Sequence, residues 1–131
     1  MIAHLEIKVS RQALHPITDQ VQALIPPDGE GLCTLFIQHT SASLLIQEDY
    51  DDSARLDLET WLNRLVPEND PLYTHTREGA DDMPAHIKAA LTATQLSIPY
   101  QAGRLLLGTW QGIFLWEHRH QVGTRRIVVH T

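Results

Sequence analysis

Residues 113–119 read Ile-Phe-Leu-Trp-Glu-His-Arg, and the first four of them are apolar at both odd and even positions. Successive side chains of a strand point to opposite faces of a sheet, so an apolar run of this kind indicates a strand covered on both faces. We therefore predict a central strand here. Trp116 and His118 lie on one face of it, and Ile113, Leu115 and Glu117 lie on the other.

Glu117 is the unusual residue of this strand. A carboxylate on a covered face is costly unless it is ion-paired, hydrogen-bonded or bound to a ligand. Two interpretations stay open at this point: an ion pair with an arginine, or a role in a functional site. The arginines that could form the pair are Arg104, Arg119, Arg125 and Arg126.

The rest of the chain mixes strand and helix patterns, and together they predict an α+β fold. Residues 1–9 alternate apolar and polar, which is typical of a half-buried strand. Further strands are predicted at 32–39, 44–46, 95–100, 104–109 and 125–131. Helical spacing occurs at 17–25 and 54–65, and His15 is expected in a loop. The buried stripe of the second helix is expected to comprise Ala54, Leu58, Trp61, Leu62 and Leu65.

Length and composition exclude several classes of protein. A chain of 131 residues with 43% apolar residues can bury the core of one domain, residues 1–131. The formal net charge of −6 argues against nucleic acid or an anionic membrane as a partner. No apolar run approaches the ~20 residues of a spanning helix, and no signal-peptide pattern opens the sequence. The single cysteine, Cys33, excludes an intrachain disulfide and a Cys-based zinc site, so the cytoplasm is expected.

The stretch Tyr73–Leu91 concentrates histidines and carboxylates around a proline-started helix. Pro84 suits the first turn of a helix because it has no N–H to leave unpaired. Asp82 and His86 are four residues apart, so they share a helix face, and a turn at Gly79 could return His75 over the helix start. The alternative is ordinary helix capping by the acidic residues, with both histidines solvated.

A second candidate segment follows the predicted strand 32–39. His39 ends that strand, and Thr40-Ser41-Ala42-Ser43 comes directly after it. Small residues with hydroxyls and free N–H groups can cradle an anion. The alternatives are a buried histidine satisfied by the backbone and an ordinary turn between strands.

Four histidines thus lie near the ends of predicted elements: His39, His75, His86 and His118. Histidines beside carboxylates suit a metal site or general acid–base chemistry near neutral pH. The spacing matches neither the His-Glu-x-x-His helix nor an EF-hand, and no P-loop or nucleophile elbow is present. The residues alone therefore predict an α+β domain with a His/carboxylate site for an anion or a metal.

Four segments occur in a fixed order along the chain: Gln38-His-Thr-Ser-Ala-Ser-Leu44, Glu78-Gly-Ala-Asp-Asp-Met-Pro-Ala-His-Ile-Lys88, Gly108-Thr-Trp-Gln-Gly-Ile113 and Glu117-His-Arg119. Together they resemble the YjbQ family, also called the secondary thiamine-phosphate synthase family. The resemblance runs from about Gly31 to the C-terminus, and residues 1–30 match only in outline. Family members tend to carry Asn-Glu-Asn where this chain has Gln47-Glu48-Asp49, so specificity is expected to differ if those side chains touch substrate.

The resemblance implies a two-sheet β-sandwich with flanking helices, forming a trimer whose sheets pack about a threefold axis. Such a trimer would account for the apolar run on both faces of residues 113–116. The implied activity joins a hydroxymethylpyrimidine diphosphate to a thiazole phosphate with loss of pyrophosphate. This is a secondary activity of the family, so the physiological substrate stays open.

The resemblance also suggests roles for individual residues. The candidate catalytic residues are His39, Asp82, His86, Glu117 and His118, with Glu117 orienting His118. The candidate phosphate- or substrate-binding residues are Thr40, Ser41, Ser43, Lys88, Arg104 and Arg119. The candidate ligands of a divalent metal, Mg²⁺ or Zn²⁺, are His75, His86 and His118, together with Asp82. Trp110 could stack on a planar ring or lie in the trimer core.

Two other functions use the same residues. One is a metal-dependent hydrolase or lyase acting on a phosphorylated metabolite, and the other is a non-catalytic trimeric protein that binds a metal or small molecule. All three hypotheses predict that His39, His75, His86 and His118 converge, and scattering of these rings by more than about 10 Å, even across subunits, would contradict all three, because catalytic groups act within hydrogen-bond reach.

Overall fold

A computed structural model describes residues 1–131 and contains eight strands and three helices. The strands are β1 (Ile2–Val9), β2 (Ala13–Pro16), β3 (Gly31–Ile37), β4 (Ala42–Glu48), β5 (Gln95–Gln101), β6 (Arg104–Leu105), β7 (Gln111–Glu117) and β8 (Gly123–His130). The helices are α1 (Thr18–Gln22), α2 (Asp52–Leu65) and α3 (Asp82–Leu91). None of the three helices is long and apolar enough to cross a membrane.

The strands form two antiparallel sheets. The larger sheet has the order β1-β8-β3-β5-β6, and the smaller has the order β2-β7-β4. The main core lies between them and draws on inward residues of both, for example Leu35 and Ile127 from one sheet and Ile113 and Leu115 from the other. The α+β class with two antiparallel sheets is therefore confirmed.

Strand β7 is the central strand of the smaller sheet, as its sequence predicts. Ile113 and Leu115 join the core between the sheets, whereas Phe114 and Trp116 pack on the other side in a second core with Leu62 of α2. One chain thus covers both faces of this strand. The expectation that a trimer explains the apolar run is wrong, because helices of the same chain cover its second face.

Helix α2 buries fewer apolar side chains than its sequence pattern predicts. In α2 only Leu62 is fully buried, while Trp61 and Leu65 are each 53% exposed. The predicted five-residue stripe is wrong for those two residues, because the helix contacts the second core along Leu58 and Leu62. Its start is as expected, since the Asp51 carboxylate accepts a hydrogen bond from the Ser53 N–H at 2.9 Å.

Strand β2 is absent from the sequence prediction. His15 lies in this strand, opposite Leu115 of β7, and not in a loop. Pro16 is its last residue and lies on an edge strand, where a missing N–H need not break a ladder hydrogen bond. The predicted strand at 104–109 is also shorter than expected, because β6 comprises only Arg104 and Leu105.

Candidate functional site

Two histidines converge on one buried carboxylate at the start of α3. Asp82 is the first residue of the helix, and His86 follows one turn later on the same face. The loop before the helix brings His75 to the same place. The Nε2 atoms of His75 and His86 lie 2.7 and 3.2 Å from Asp82 Oδ2. The three donor atoms all lie within 4.8 Å of one another, which is close enough to hold one metal ion.

The orientation of His86 is fixed by a backbone carbonyl. Its Nδ1 lies 2.9 Å from the Thr40 oxygen, and because a carbonyl can only accept, Nδ1 carries the proton. The Nε2 atom then presents its lone pair to the Asp82 carboxylate. Two acceptors at 3.2 Å repel each other unless a second proton or a cation lies between them. Metal-binding histidines are commonly held this way, by a carbonyl on the ring nitrogen that does not bind the metal.

Arg119 anchors the carboxylates of this region. Its Nη1 lies 3.4 Å from Asp82 Oδ1, and its Nη2 lies 3.1 Å from Asp81 Oδ1 and donates to the Glu78 carbonyl at 2.7 Å. The hydrogen bond with Asp81 raises the pKa of Arg119. Its guanidinium is held by three protein oxygens, and the suggestion that Arg119 also binds a phosphate stays a prediction.

Helix capping does not explain the two acidic residues at the start of α3. Asp81 precedes the helix but makes no side-chain cap hydrogen bond. Its carboxylate accepts from Arg119 and from the His120 N–H at 2.9 Å. Burial would raise the pKa of Asp81, but these hydrogen bonds outweigh it and hold the pKa below its usual value. The capping interpretation is therefore wrong, and both carboxylates belong to the site.

A groove of about 900 Å³ opens beside His86. Its polar lining includes Thr40 and Ser41, so the predicted hydroxyl segment does lie at a cavity. Four apolar residues form part of its wall: Phe36, Ile37, Ala89 and Ala90. No pattern in the sequence predicts this wall, although the adjacent small residues Ala89 and Ala90 on α3 are compatible with an open space beside the helix.

His39 also lines this groove. Its Nε2 accepts a hydrogen bond from the Arg126 N–H at 2.8 Å, which places the ring proton on Nδ1. Burial, and next the charge of Arg125, lower the pKa of His39, so the ring is neutral at physiological pH. His39 can donate a hydrogen bond to a ligand. It is poorly placed to act as a base, because the backbone occupies its only lone pair.

His118 lies outside the cluster. It is buried, and its Nε2 lies 2.8 Å from the hydroxyl of Ser43, which is equally buried. Burial, and next the charge of Lys88, lower the pKa of His118 to about 3. The predictions that His118 ligates a metal and that Ser43 binds phosphate are wrong, because neither side chain reaches the groove. Asp82 provides the third group of the cluster instead.

Glu117 forms the ion pair that one interpretation of the sequence required. Its carboxylate accepts from Arg125 Nε at 2.5 Å and from the Arg119 N–H at 3.0 Å. It lies on the face of β7 opposite His118, so it does not orient that ring. The prediction of a catalytic Glu117 is wrong because both oxygens are bonded within the protein.

The two remaining cationic candidates also lie away from the groove. Lys88 is buried, and its Nζ donates to Asn63 Oδ1 at 2.6 Å, while burial lowers its pKa. Arg104 is exposed at the β5–β6 turn in the larger sheet. Neither residue lines this groove within one chain, and phosphate binding by Lys88 and Arg104 stays a prediction.

The other segments of the family resemblance meet at the opposite end of β7. Glu48 pairs with Gln111, and the Asp49 N–H donates to the Trp110 carbonyl at 2.8 Å. The Trp110 ring is half-exposed and packs edge-on against Tyr50, with ring centroids 4.7 Å apart. The length of β7 therefore separates Gln47-Glu48-Asp49 and Trp110 from the histidine cluster within one chain.

Comparison with known proteins identifies close relatives. The family model for UPF0047 protein YjbQ-like matches residues 3–131. UPF0047 protein sll1880 of Synechocystis is 49% identical over 96% of this chain and 87% of its own length. UPF0047 protein YjbQ of Escherichia coli O157:H7 is 44% identical over 95% of this chain and 91% of its own. The crystal structure of the conserved hypothetical protein TT1486 from Thermus thermophilus has a TM-score of 0.89 at 34% identity, covering 98% of both chains.

Proposed function

This chain belongs to the UPF0047 family of YjbQ-like proteins, and from that membership and the geometry of the cluster we propose that it is a metal-dependent enzyme acting on a phosphorylated small molecule. The observation that carries the proposal is the convergence of His75, Asp82 and His86, of which His86 lines a groove of about 900 Å³. A cluster of metal-binding groups beside a cavity with convergent polar groups is the usual form of a small-molecule site.

The donor set favours zinc, or a similar transition metal, over magnesium. Two imidazoles and one carboxylate match the ligands of catalytic zinc sites, whereas magnesium prefers oxygen ligands and water. Three protein ligands would leave a further position for water or substrate. A metal bound here would neutralise negative charge on the phosphate oxygens of the substrate.

The residues of the groove have separate tasks in this proposal. His39 donates a hydrogen bond from Nδ1 to the ligand, and the Thr40 and Ser41 hydroxyls donate to phosphate oxygens. The apolar wall formed by Phe36 and Ala89 accommodates an uncharged part of the ligand, for instance a planar ring. Arg119 takes part indirectly, because it orients the second oxygen of Asp82.

The specific reaction we propose is the transfer that joins a hydroxymethylpyrimidine diphosphate to a thiazole phosphate. In this reaction a carbon–oxygen bond to the diphosphate breaks, the thiazole nitrogen bonds to that carbon, and pyrophosphate leaves. The apolar wall and the phosphate-binding hydroxyls are compatible with both substrates. We propose this transfer as a side activity. Assays with other phosphate esters, run in the same way, are needed to identify the physiological substrate.

Activity measurements with the wild-type protein test this proposal. We expect thiamine phosphate to form from the two heterocycle phosphates with Zn²⁺ or Mg²⁺ and to stop on addition of a chelator. His86→Ala should lower the rate by on the order of a hundredfold, since it removes a metal ligand, whereas Asp57→Ala on the exposed face of α2 should not. Chromatography of the products measures both effects.

Two other outcomes are informative. Hydrolysis of another phosphate ester, with loss in His86→Ala, would replace the transferase by a metal-dependent hydrolase. Metal binding with no turnover of any phosphate ester would contradict an enzyme and favour a metal-binding protein.

We further propose that the protein is a homotrimer of the cytoplasm. The outer face of the larger sheet carries exposed apolar residues, among them Ile2, Leu32 and Phe36, which are 56%, 50% and 48% exposed. Large apolar side chains exposed on a sheet face are compatible with a protein–protein contact there. Phe36 also lines the groove, so a neighbouring subunit bound here would lie beside the site. The single buried thiol of Cys33 is compatible with a reducing compartment.

We expect Leu32→Glu to dissociate the trimer, because it places a charge in the apolar contact. Light scattering coupled to size-exclusion chromatography measures the mass of the assembly. Leu56→Glu, an equally exposed leucine on α2, is the matched control and should leave the mass unchanged. A monomeric wild-type protein would contradict the proposal.

A further inference from the structure

The cluster has a buried support that the proposed chemistry does not use. Ser43 and His118 are each 1% exposed, and Ser43 Oγ lies 2.8 Å from His118 Nε2. The His118 N–H also donates to the Ser41 carbonyl at 3.2 Å. His118, at the end of β7, therefore holds the segment 40–43 at two points, through its backbone and through its ring.

The same segment fixes His86. The Thr40 carbonyl accepts from His86 Nδ1 at 2.9 Å, and this hydrogen bond determines which ring nitrogen faces Asp82. Thr40 is exposed, so packing does not fix the position of its carbonyl. That position depends on the contacts of the residues that follow it, Ser41 to Ser43. Those residues pair with β7 from Ala42 onward, and the Ser43–His118 hydrogen bond is the side-chain contact at that junction.

We propose that His118 is a positioning residue, which sets the tautomer and orientation of His86 through Ser43 and the Thr40 carbonyl. This replaces the direct role that the sequence suggested for His118. The link to metal affinity rests on the proposed function, whereas the link to the His86 tautomer does not. The His118 side chain acts through a single atom, Nε2, because its Nδ1 is buried and has no hydrogen-bond partner.

The use of one ring nitrogen makes the proposal testable with matched substitutions. In His118→Gln the side-chain amide can occupy the position of Nε2 and keep the hydrogen bond to Ser43. In His118→Asn the amide reaches only the position of Nδ1, so the hydrogen bond is lost while a polar side chain remains. Ser43→Ala removes the same hydrogen bond from the other side by deleting one oxygen atom.

The decisive readout is the ¹⁵N NMR spectrum of the His86 ring, recorded without metal over a pH series and read on its alkaline plateau, where the ring is neutral and its tautomer is defined. We expect the wild type and His118→Gln to show the Nδ1–H tautomer, and His118→Asn and Ser43→Ala to show a mixture of tautomers. Zinc affinity should fall by about tenfold or more in His118→Asn and Ser43→Ala, as it does when other residues that orient metal ligands are replaced. His118→Gln should bind zinc as the wild type does.

The outcomes separate this inference from the proposed function. An unchanged His86 tautomer in Ser43→Ala would overturn the inference, whether or not zinc binds. Altered tautomers in a protein that never binds zinc would support the inference and contradict the metal site. If His118→Asn does not fold, Ser43→Ala provides the same readout with a smaller change in the core.

Discussion

Replacing Asp82 with asparagine is expected to lower the affinity for Zn²⁺ by more than about a hundredfold. Loss of a residue that only hydrogen-bonds to a metal ligand lowers affinity by up to about a hundredfold, so a larger effect identifies Asp82 as a ligand. Asp82 is the one residue that contacts both histidines of the cluster. Asparagine has the same shape but no charge, so it ligates zinc poorly. It also leaves the positive charge of Arg119, still bound to Asp81, without its second counter-ion.

Isothermal titration of both proteins with Zn²⁺ measures this effect. Asp57→Asn, which neutralises an exposed carboxylate on α2, is the control for net charge and should bind zinc as the wild type does. Circular dichroism establishes that each variant is folded. Equal affinities for the wild type and Asp82→Asn would show that the cluster is not the metal site.

The second large effect is on stability in acid. His118 has a pKa of about 3 in the folded chain against an ordinary value of 6.5. Between these two values the imidazole of His118 is protonated in the unfolded chain but neutral in the folded chain. Neutral His118 therefore leaves stability at its full value above pH 6.5, and the free energy of unfolding falls as the pH falls towards 3. At about 1.4 kcal/mol per pKa unit, the loss reaches on the order of 4 kcal/mol near pH 3.

Urea unfolding between neutral and acidic pH measures this loss. Below about pH 6 the free energy of unfolding of the wild type should fall about 1.4 kcal/mol per pH unit more steeply than that of His118→Gln, which cannot titrate. His39, whose pKa is also lowered, is present in both proteins and cancels. Identical slopes for wild type and His118→Gln would contradict the assignment.

Strong local patterns predicted most of the fold. The alternation in residues 1–9 predicts β1, and the apolar run that begins at Ile113 predicts a strand covered on both faces. What the sequence could not reveal was the partner that covers each face. Strand β2 has four residues and ends in a proline, so it carries too little pattern to be identified. Trp61 and Leu65 follow the same helical periodicity as Leu58 and Leu62. They stay half-exposed, because α2 contacts the second core only along Leu58 and Leu62.

The site was predictable where its residues lie close in sequence. The spacing of Asp82 and His86 along one helix, with His75 just before it, is the part of the prediction that the structure brings together. Contacts between distant residues were not predictable, because they depend on the tertiary arrangement of strands. Glu117 finds Arg125 on another strand, and His118 turns inward to Ser43. In both cases a residue type typical of active sites has a structural role.

X-ray absorption spectroscopy of the protein loaded with one equivalent of Zn²⁺ identifies the ligands of the bound metal. Binding by His75, Asp82 and His86 predicts scattering from two imidazoles and from oxygen, with ligand distances near 2.0–2.2 Å, roughly as in other zinc sites. Asp82→Asn should lose this spectrum. A zinc spectrum showing only solvent oxygens, or a sulfur ligand from Cys33, would contradict the metal site on which the proposed function depends.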